Sequence, residues 1–483
     1  MRPFPSRFRL LWAATAVSNL GDGVRSTALP LLATELTRNP GLVAGVAIAE
    51  RVPWLIFILP GGAWADRYDR KKLRVGLDLA RAVIVAVIAV LVATDNATIV
   101  AVFAAAALLS SAESIVDSSS MALVPSLVEK DDLERSAGVL SATELTLDAL
   151  IGPPLGGVLF AAALWLPFGV DAVSFTLAAL LALSIRGSFR PTPTAQTVET
   201  PRRRRMTSEI RAGMSWLWNQ PLLRNLALVS TVLGTASFIA SSVLVLFAQE
   251  LLGLGPTGFG LLLVPAAVGG SIGSGIAPRL RDQPLRRVLT IAVVVAGLTG
   301  IAISVSSNAV VVGGLLAAQY AAILVWNVLT LALRQRLIPD ELLGRGGSSY
   351  RFLVFVGMPI GAAIGGLFAS VVGLRETFAL SGLIIVAAAF FLPTAVKASP
   401  TPPVAPPAPP PPLPPPRLDS PSLLPPGTAE VTSLRLPPPD APRVGPPLPP
   451  PEPPEPPGRP TPPSRSPQRR RSRRPRRRQR NKR

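Results

Sequence analysis

The chain has 483 residues, 49% hydrophobic and 16% charged, with a net charge of +20 and neither cysteine nor histidine. A soluble globular chain carries about 25% charged residues, so this composition, at a mean hydropathy of +0.43, excludes an ordinary soluble fold and points to a membrane-embedded one. Disulfides and thiolate metal sites are excluded as well, and any proton-handling step must run on Asp or Glu.

The amino terminus, MRPFPSRFRLLW, sets positive charge before an apolar run without a small-residue cleavage site, so it reads as a retained first span. A membrane span needs about 20 largely apolar residues. Twelve candidates follow in order: Leu10–Leu36, Leu42–Ala65, Val75–Ala93, Thr98–Ile115, Ser141–Ala163, Pro167–Ile185, Leu222–Leu246, Phe259–Ala277, Val288–Ser306, Val310–Leu333, Phe352–Val372 and Phe378–Val396. The loops after even-numbered spans carry the charge, as in Arg67–Arg74, Glu129–Arg135, Arg186–Arg211, Arg279–Arg287 and Arg334–Arg345. The loops after odd-numbered spans are short and nearly uncharged, as in TRNPG at Thr37–Gly41 and GLGPTG at Gly253–Gly258. The positive-inside rule then puts both termini in the cytoplasm.

The chain repeats itself. Leu127, Val128, Leu133 and Arg135 match Leu337, Ile338, Leu343 and Arg345 at an offset of 210, and GPPLGG at Gly152–Gly157 matches GAAIGG at Gly361–Gly366 at an offset of 209. Two parallel six-helix halves are the architecture this implies. The expected organisation is a first half over 1–186, a basic cytoplasmic linker over 187–221, a second half over 222–397 and a disordered tail over 398–483. From Lys397 onward 17 Lys and Arg stand against 5 Asp and Glu, so +12 of the net charge lies in the last 87 residues. The proline runs there favour extended polyproline II or disorder. The arginine-rich end suits anionic lipid; it has no interleaved aromatic on which bases would stack, and no specific nucleic-acid partner is expected.

Ionisable residues inside a span cost roughly 2.5–3.5 kcal/mol at the helix centre, which makes each a functional candidate. Asp22 and Arg25 lie midway along the first span, three residues apart on one face. Asp22, Glu50, Glu144 and Asp148 are the expected proton-coupling candidates, Asp22 leading, with Arg25 and Arg51 as their charge partners. Glu144 and Asp148 are spaced i, i+4, so each carboxylate disfavours ionisation of the other. Asp171 falls near the outer end of the sixth span. Gln319, Tyr320, Trp326 and Asn327, at mid-depth in the tenth, either line a cavity between the halves or make satisfied interhelical contacts. A lining of mostly Ala, Val, Leu, Ser and Gly favours apolar or amphipathic ligands over sugars. No G-x-x-x-x-G-K-[ST] loop is present, which argues against ATP-driven transport.

The pattern Gly62-x-x-x-Asp66-Arg67-x-x-Arg70-Lys71 resembles the signature loop between the second and third helices of the major facilitator superfamily, with Asp69 where that family usually has glycine. Gly152, Pro153, Gly156 and Gly157 in LIGPPLGGVLF resemble the antiporter motif of its exporters, and the stretches VEKDDLERSAGVLSATE and VWNVLTLALRQRLIPDELLGRGGSSYRF look like its drug-proton antiporter group, which includes enterobactin exporters and macrolide efflux proteins. The resemblance covers Phe8 to Pro393. It implies an all-helical, twelve-span protein of two pseudo-symmetric halves in a bacterial plasma membrane. That protein would be a monomer, a transporter and not an enzyme, driven by the proton gradient with no cofactor and no metal. It also implies a cytoplasmic gate in which Asp66 meets the start of the eleventh helix. Arg67, Arg70 and Lys71 supply the basic positions there, Asp117 low on the fourth helix serves as acidic partner, and Arg345 or Arg351 completes the network. Proton-coupled efflux of a small apolar or amphipathic molecule is the leading expectation. A metabolite facilitator or importer, and a membrane-anchored scaffold acting through the tail, are the alternatives.

Overall fold

Apolar runs of about 20 residues can satisfy their backbone in a bilayer only as helices or closed barrels, and over the described residues these runs are helical. The computed structural model describes residues 3–65, 68–187, 189, 214–338 and 343–392, without the side chains of 58–65 and 343–348. The long helices are α1 (Ser6–Leu36), α2 (Pro40–Ala65), α3 (Arg70–Ala93), α4 (Ile99–Leu123), α5 (Leu133–Glu144, continued by Gly152–Ala162), α6 (Leu166–Leu183), α7 (Pro221–Ser241, continued to Leu251), α8 (Pro256–Ile276), α9 (Leu285–Val305), α10 (Ala309–Leu337), α11 (Leu343–Val371) and α12 (Leu374–Ala388). Among the described residues, eleven are long and apolar enough to cross a membrane. The twelfth, α1, has 31 residues but carries Asp22 and Arg25 mid-helix, and it turns that polar face into protein.

Several helix starts are fixed by side-chain caps. The Thr98 hydroxyl accepts from the Ala101 amide at 3.2 Å, and the Asn308 side chain accepts from Val310 and Val311 at 2.9 and 3.2 Å. The helices extend past the apolar runs toward the charged loops: α5 begins at Leu133, eight residues before the expected Ser141, and α11 at Leu343 instead of Phe352. Two spans are not plain α-helix. A π-helical turn over Leu145–Ile151 interrupts α5, and another over Phe247–Leu251 ends the α7 span. The i, i+4 relation of Glu144 and Asp148 therefore does not translate into one α-helical face, because the helix widens between them.

Helix pairing repeats at an interval of six. In the first half α1 packs on α5 and α6, α2 on α4, and α3 on α4 and α6; in the second, α7 packs on α11 and α12, α8 on α10, and α9 on α10 and α12. The halves meet through α2 against α11 and α5 against α8. The repeated glycines explain both contacts. A Cβ at Gly152 or Gly156 would strike Gly23 or Val24 of α1, and one at Gly361 or Gly365 would strike Thr235 or Ile239 of α7. The last glycine of each set faces the other half, Gly157 against Pro256 and Thr257, Gly366 against Gly41 and Ala44. Small residues here let backbones touch, the main source of helix adhesion where no hydrophobic effect operates.

One apolar core joins the halves at the end bearing the short loops, from Leu29, Val43 and Phe168 to Phe247, Phe259 and Phe378. At the basic-loop end each half has its own core, around Phe8 and Leu123 in the first and around Leu289 and Trp326 in the second. Leu217, from the end of the linker, belongs to the second of these.

Candidate transport cavity and its charged network

Between the halves lies a cavity of about 450 Å³. The first half contributes Ser26 and Pro30 of α1 and Val46, Ala47, Glu50 and Arg51 of α2, and the second contributes mainly the α7 span and α10. Gln319, Tyr320, Trp326 and Asn327 all stand on its wall. Two of them also make interhelical bonds, so the two readings open from the sequence coexist. Gln319 Nε2 donates to the Ala296 carbonyl at 3.1 Å, and Trp326 Nε1 donates to Ser230 Oγ at 3.1 Å. Ser230 in turn pairs with the Tyr350 hydroxyl at 2.6 Å. Most of the remaining wall is Ala, Val, Leu, Ile and Phe.

Two contacts bridge the halves beside this cavity. The Arg51 guanidinium lies 5.4 Å from the Phe238 ring centre, and Trp54 and Phe355 are tilted against each other at 5.6 Å. Glu50 shares the wall with Arg51, and its backbone carbonyl accepts from Ser110 Oγ of α4. At the short-loop end Arg38 Nη1 donates to Gln249 Oε1 at 2.6 Å, adding a polar link to the glycine contacts there.

Asp22 is not on the cavity wall. Its Oδ1 accepts from Arg25 Nη2 and from Arg81 Nη2, each at 2.5 Å, and Ser18 Oγ donates to its Oδ2 at 3.3 Å. Arg25 also reaches Asp171 at 3.3 Å and Glu113 at 3.4 Å; Arg81 reaches Asp78 at 3.7 Å and Glu113 at 4.0 Å, and lies 3.9 Å over the Phe175 ring. Arg74 adds Asp78 at 3.5 Å and donates to Ser120 Oγ at 2.5 Å. Four carboxylates and three guanidiniums thus share one largely enclosed network on α1, α3, α4 and α6, with Asp78 and Asp171 fully buried and Glu113 the most open at 35%. Both Asp78 oxygens sit at ion-pair distance without hydrogen-bond geometry. Asp171 is level with Gly21 of α1, whose missing side chain leaves room for it and Ser174.

The sequence reading did not single out Arg74, Asp78, Arg81 or Glu113. The signal lay in the i, i+4, i+7 spacing of the first three, which puts them on one face of α3. Glu113 had no such pattern, being one acid among the serines of SSAES. Glu144 is exposed and Asp148 half-buried, the latter within the π turn of α5. Among the described residues no group of three or more acids is arranged to hold a metal ion.

At the basic-loop end, Asp66 and Arg67 lie outside the described residues, as does the side chain of Arg345, and Gly62 is described only as part of the α2 backbone. Asp69 caps α3, accepting from the Lys71 and Lys72 amides at 3.1 and 3.2 Å, and it also accepts from the Phe189 amide at 3.1 Å. Arg70 Nη1 donates to the Ala122 carbonyl at 2.8 Å and Lys71 Nζ to the Ile185 carbonyl at 2.7 Å, so both cations sit at helix C-termini, where the dipole favours them. Asp117 and Arg351 are exposed.

Two six-helix halves packed around a central cavity, with the cores shared at one end and separate at the other, are the architecture of the major facilitator fold. Solved structures agree on the fold. A bacterial homologue of the human lysosomal transporter Spinster, inward-facing and unoccupied, superposes with a TM-score of 0.64 at 14% identity, covering 83% of this chain and all of that one. An inward-facing bacterial homologue of the iron transporter ferroportin gives 0.63 at 18%, covering 80% and 97%. The chain belongs to the transmembrane secretion effector family, whose model matches residues 2–412. It is 24% identical over 400 residues to macrolide efflux protein A of Streptococcus pyogenes, covering 80% of this chain and 95% of that one. It is 26% identical over 397 residues to the multidrug efflux pump Tap of Mycobacterium tuberculosis, covering 78% and 90%. The enterobactin exporter EntS of Citrobacter koseri matches at 24% over 372 residues, covering 74% and 85%. These relatives are bacterial membrane efflux transporters, not enzymes.

Proposed function

We propose that the chain exports a small apolar or amphipathic molecule across a bacterial plasma membrane, driven by inward proton flow. The observation that carries this reading is the cavity: about 450 Å³, mostly apolar, with Glu50, Arg51, Gln319, Tyr320, Asn327 and five serines as its polar groups. Such a wall suits a ligand held by shape and apolar contact with one or two polar anchors, as in small-molecule sites generally. A sugar would need a dense set of fixed hydrogen bonds. The export direction accords with the efflux roles in the relatives' names.

The charged loops and the basic tail lie on the cytoplasmic side in this reading, with both termini, and the short-loop end faces outward. The end at which the halves share a core is then the outer one, and the cavity is loaded from the cytoplasm. The tail contacts anionic lipid. With no histidine in the chain, the proton rides on a carboxylate.

The test is accumulation of ethidium and erythromycin in cells expressing the full chain, with and without a protonophore. Export that collapses with the proton gradient supports the reading. Export indifferent to the protonophore points to a facilitator, and loss of function only on deletion of residues 398–483 points to the scaffold.

A further inference from the structure

The π turn of α5 stands where three things meet. It carries Asp148; it presses on α1, since a Cβ at Gly23 would lie 2.8 Å from the Asp148 Cα and 2.9 Å from the Leu147 carbonyl oxygen; and it runs straight into the Gly-Pro segment that packs on α8. A π turn is one extra residue inserted into an α-helix, and such turns gather at functional sites. We propose that this turn is a proton-operated hinge: Asp148 takes up the proton, and its charge state decides whether α5 stays sealed against α8 at the short-loop end. This rests on the proton-coupled reading above.

The surroundings of Asp148 set the direction. Among the described residues no Lys or Arg lies within ion-pair distance of it, whereas Asp22, beside Gly23 at the α1 contact, already holds two guanidiniums. Asp22 of α1, Glu113 of α4 and Glu144 of α5 all act on Asp148 as like charges, and Arg25 of α1 is the one opposing cation. The fourth neighbour, α8, packs on the turn with a sequence, PTGFGLLLVPAAVGGSIGSGI, that has no ionisable residue. A neutral Asp148 fits between such neighbours; an anionic one is repelled by three carboxylates and drawn to Arg25, whose nearest partner, Asp22, neighbours Gly23 at the α1 contact.

The mechanical consequence lies a few residues on. Pro153 and Pro154 touch Gly260 of α8, and Gly157 touches Pro256 and Thr257. Ser26, one turn along α1 from Gly23, is on the cavity wall. Movement of the turn therefore reaches both the outer seal and the cavity through backbone contacts with no side chains between them to absorb it. Losing the proton to the cytoplasm loosens the seal and favours outward opening; regaining it from outside closes α5 on α8 again. That order matches inward proton flow with outward export.

The absence of native cysteine makes the test clean. Spin labels are placed through Leu164→Cys, at the end of the α5 span, and Gly255→Cys, at the start of α8, where a side chain meets nothing within 4 Å. Distances are measured by pulsed electron resonance on the full chain in lipid nanodiscs across pH. The long-distance population is expected to grow as pH rises, to vanish at every pH in Asp148→Asn, and to keep its pH response in Asp148→Glu. A pH response surviving in Asp148→Asn, or a short distance alone at every pH in the parent, overturns the hinge. Protonophore-insensitive ethidium export beside a Asp148-dependent distance change would remove the coupled-export reading and leave the hinge; the converse would remove the hinge alone.

Discussion

Replacing Arg81 by leucine removes the cation that touches three of the four carboxylates in the α1–α3–α4–α6 network, at 2.5 Å from Asp22, 3.7 Å from Asp78 and 4.0 Å from Glu113. Breaking a buried ion pair on one side costs about 3–5 kcal/mol, because the partner is left charged and dry. Here Asp22 keeps Arg25 and Asp78 keeps Arg74, which puts the loss at about 3 kcal/mol, the lower end of that range. Removing Asp78 as well, in Arg81→Leu/Asp78→Leu, takes away one anion with the cation, so the network returns to its original excess of one negative charge. The double variant is expected to recover most of the loss. The assay is the fraction of full-length protein that stays monodisperse in detergent after heating, read by size exclusion for the parent, both single variants and the double. The expected order of midpoints is parent, double, then Arg81→Leu. Losses that simply add, leaving the double below Arg81→Leu, would refute charge balance as the organising principle of the network.

Three further outcomes follow from local geometry. Gly269→Leu forces a side chain into the Ala317 backbone of α10, and is expected to cost about 1–3 kcal/mol or more by overpacking, whereas Gly76→Ala, with nothing within 4 Å, should leave the melting midpoint unchanged or raise it. Asp69→Ala removes the cap of α3 and the bond to the Phe189 amide; a loss of about 1 kcal/mol is expected, seen as faster amide hydrogen exchange over residues 70–73 with the spans unaffected. Ser237→Trp puts an indole into the cavity and should abolish ethidium and erythromycin export while membrane insertion and size-exclusion profile stay as in the parent.

The spans were legible because a bilayer tolerates few solutions: apolar length gave the helices, and loop charge gave their alternation. The repeated glycines were legible too, and their role is physical, since the same three positions pack α5 on α1 and α8, and α11 on α7 and α2. The two π turns were not legible. Leu145–Ile151 reads as an ordinary apolar helix, and only contact with Gly23 and the proline pair downstream marks the wider turn. The network was half legible. Asp22, Arg25 and Asp171 stood out as charges in apolar company, whereas Arg74, Asp78 and Arg81 follow so closely on the basic loop that they read as its continuation, although they share one face and are buried.

The division of labour between the halves follows from where polarity can be afforded in a membrane. Charges inside the bilayer survive only when they neutralise one another, and a network of seven such groups, on α1, α3, α4 and α6, is a rigid block that cannot also line a cavity of variable content. The second half has no comparable cluster among its described residues, and it meets the cavity with neutral polar groups, Gln319, Tyr320, Trp326 and Asn327, two of them held by bonds to neighbouring helices. Ligand recognition thus falls mainly to helices that can shift without breaking an ion pair, and charge handling to helices that cannot. Two elements cross between these roles. On α1, Asp22 and Arg25 face the network while Ser26 and Pro30 face the cavity; and the Ser110 hydroxyl of α4, three residues from Glu113, holds the backbone of Glu50 on the cavity wall. Within the network itself, coupling of charge to cargo has to pass through those two helices, because they are where the two environments share a backbone; the π turn of α5 reaches the same cavity through its contact with α1 at Gly23.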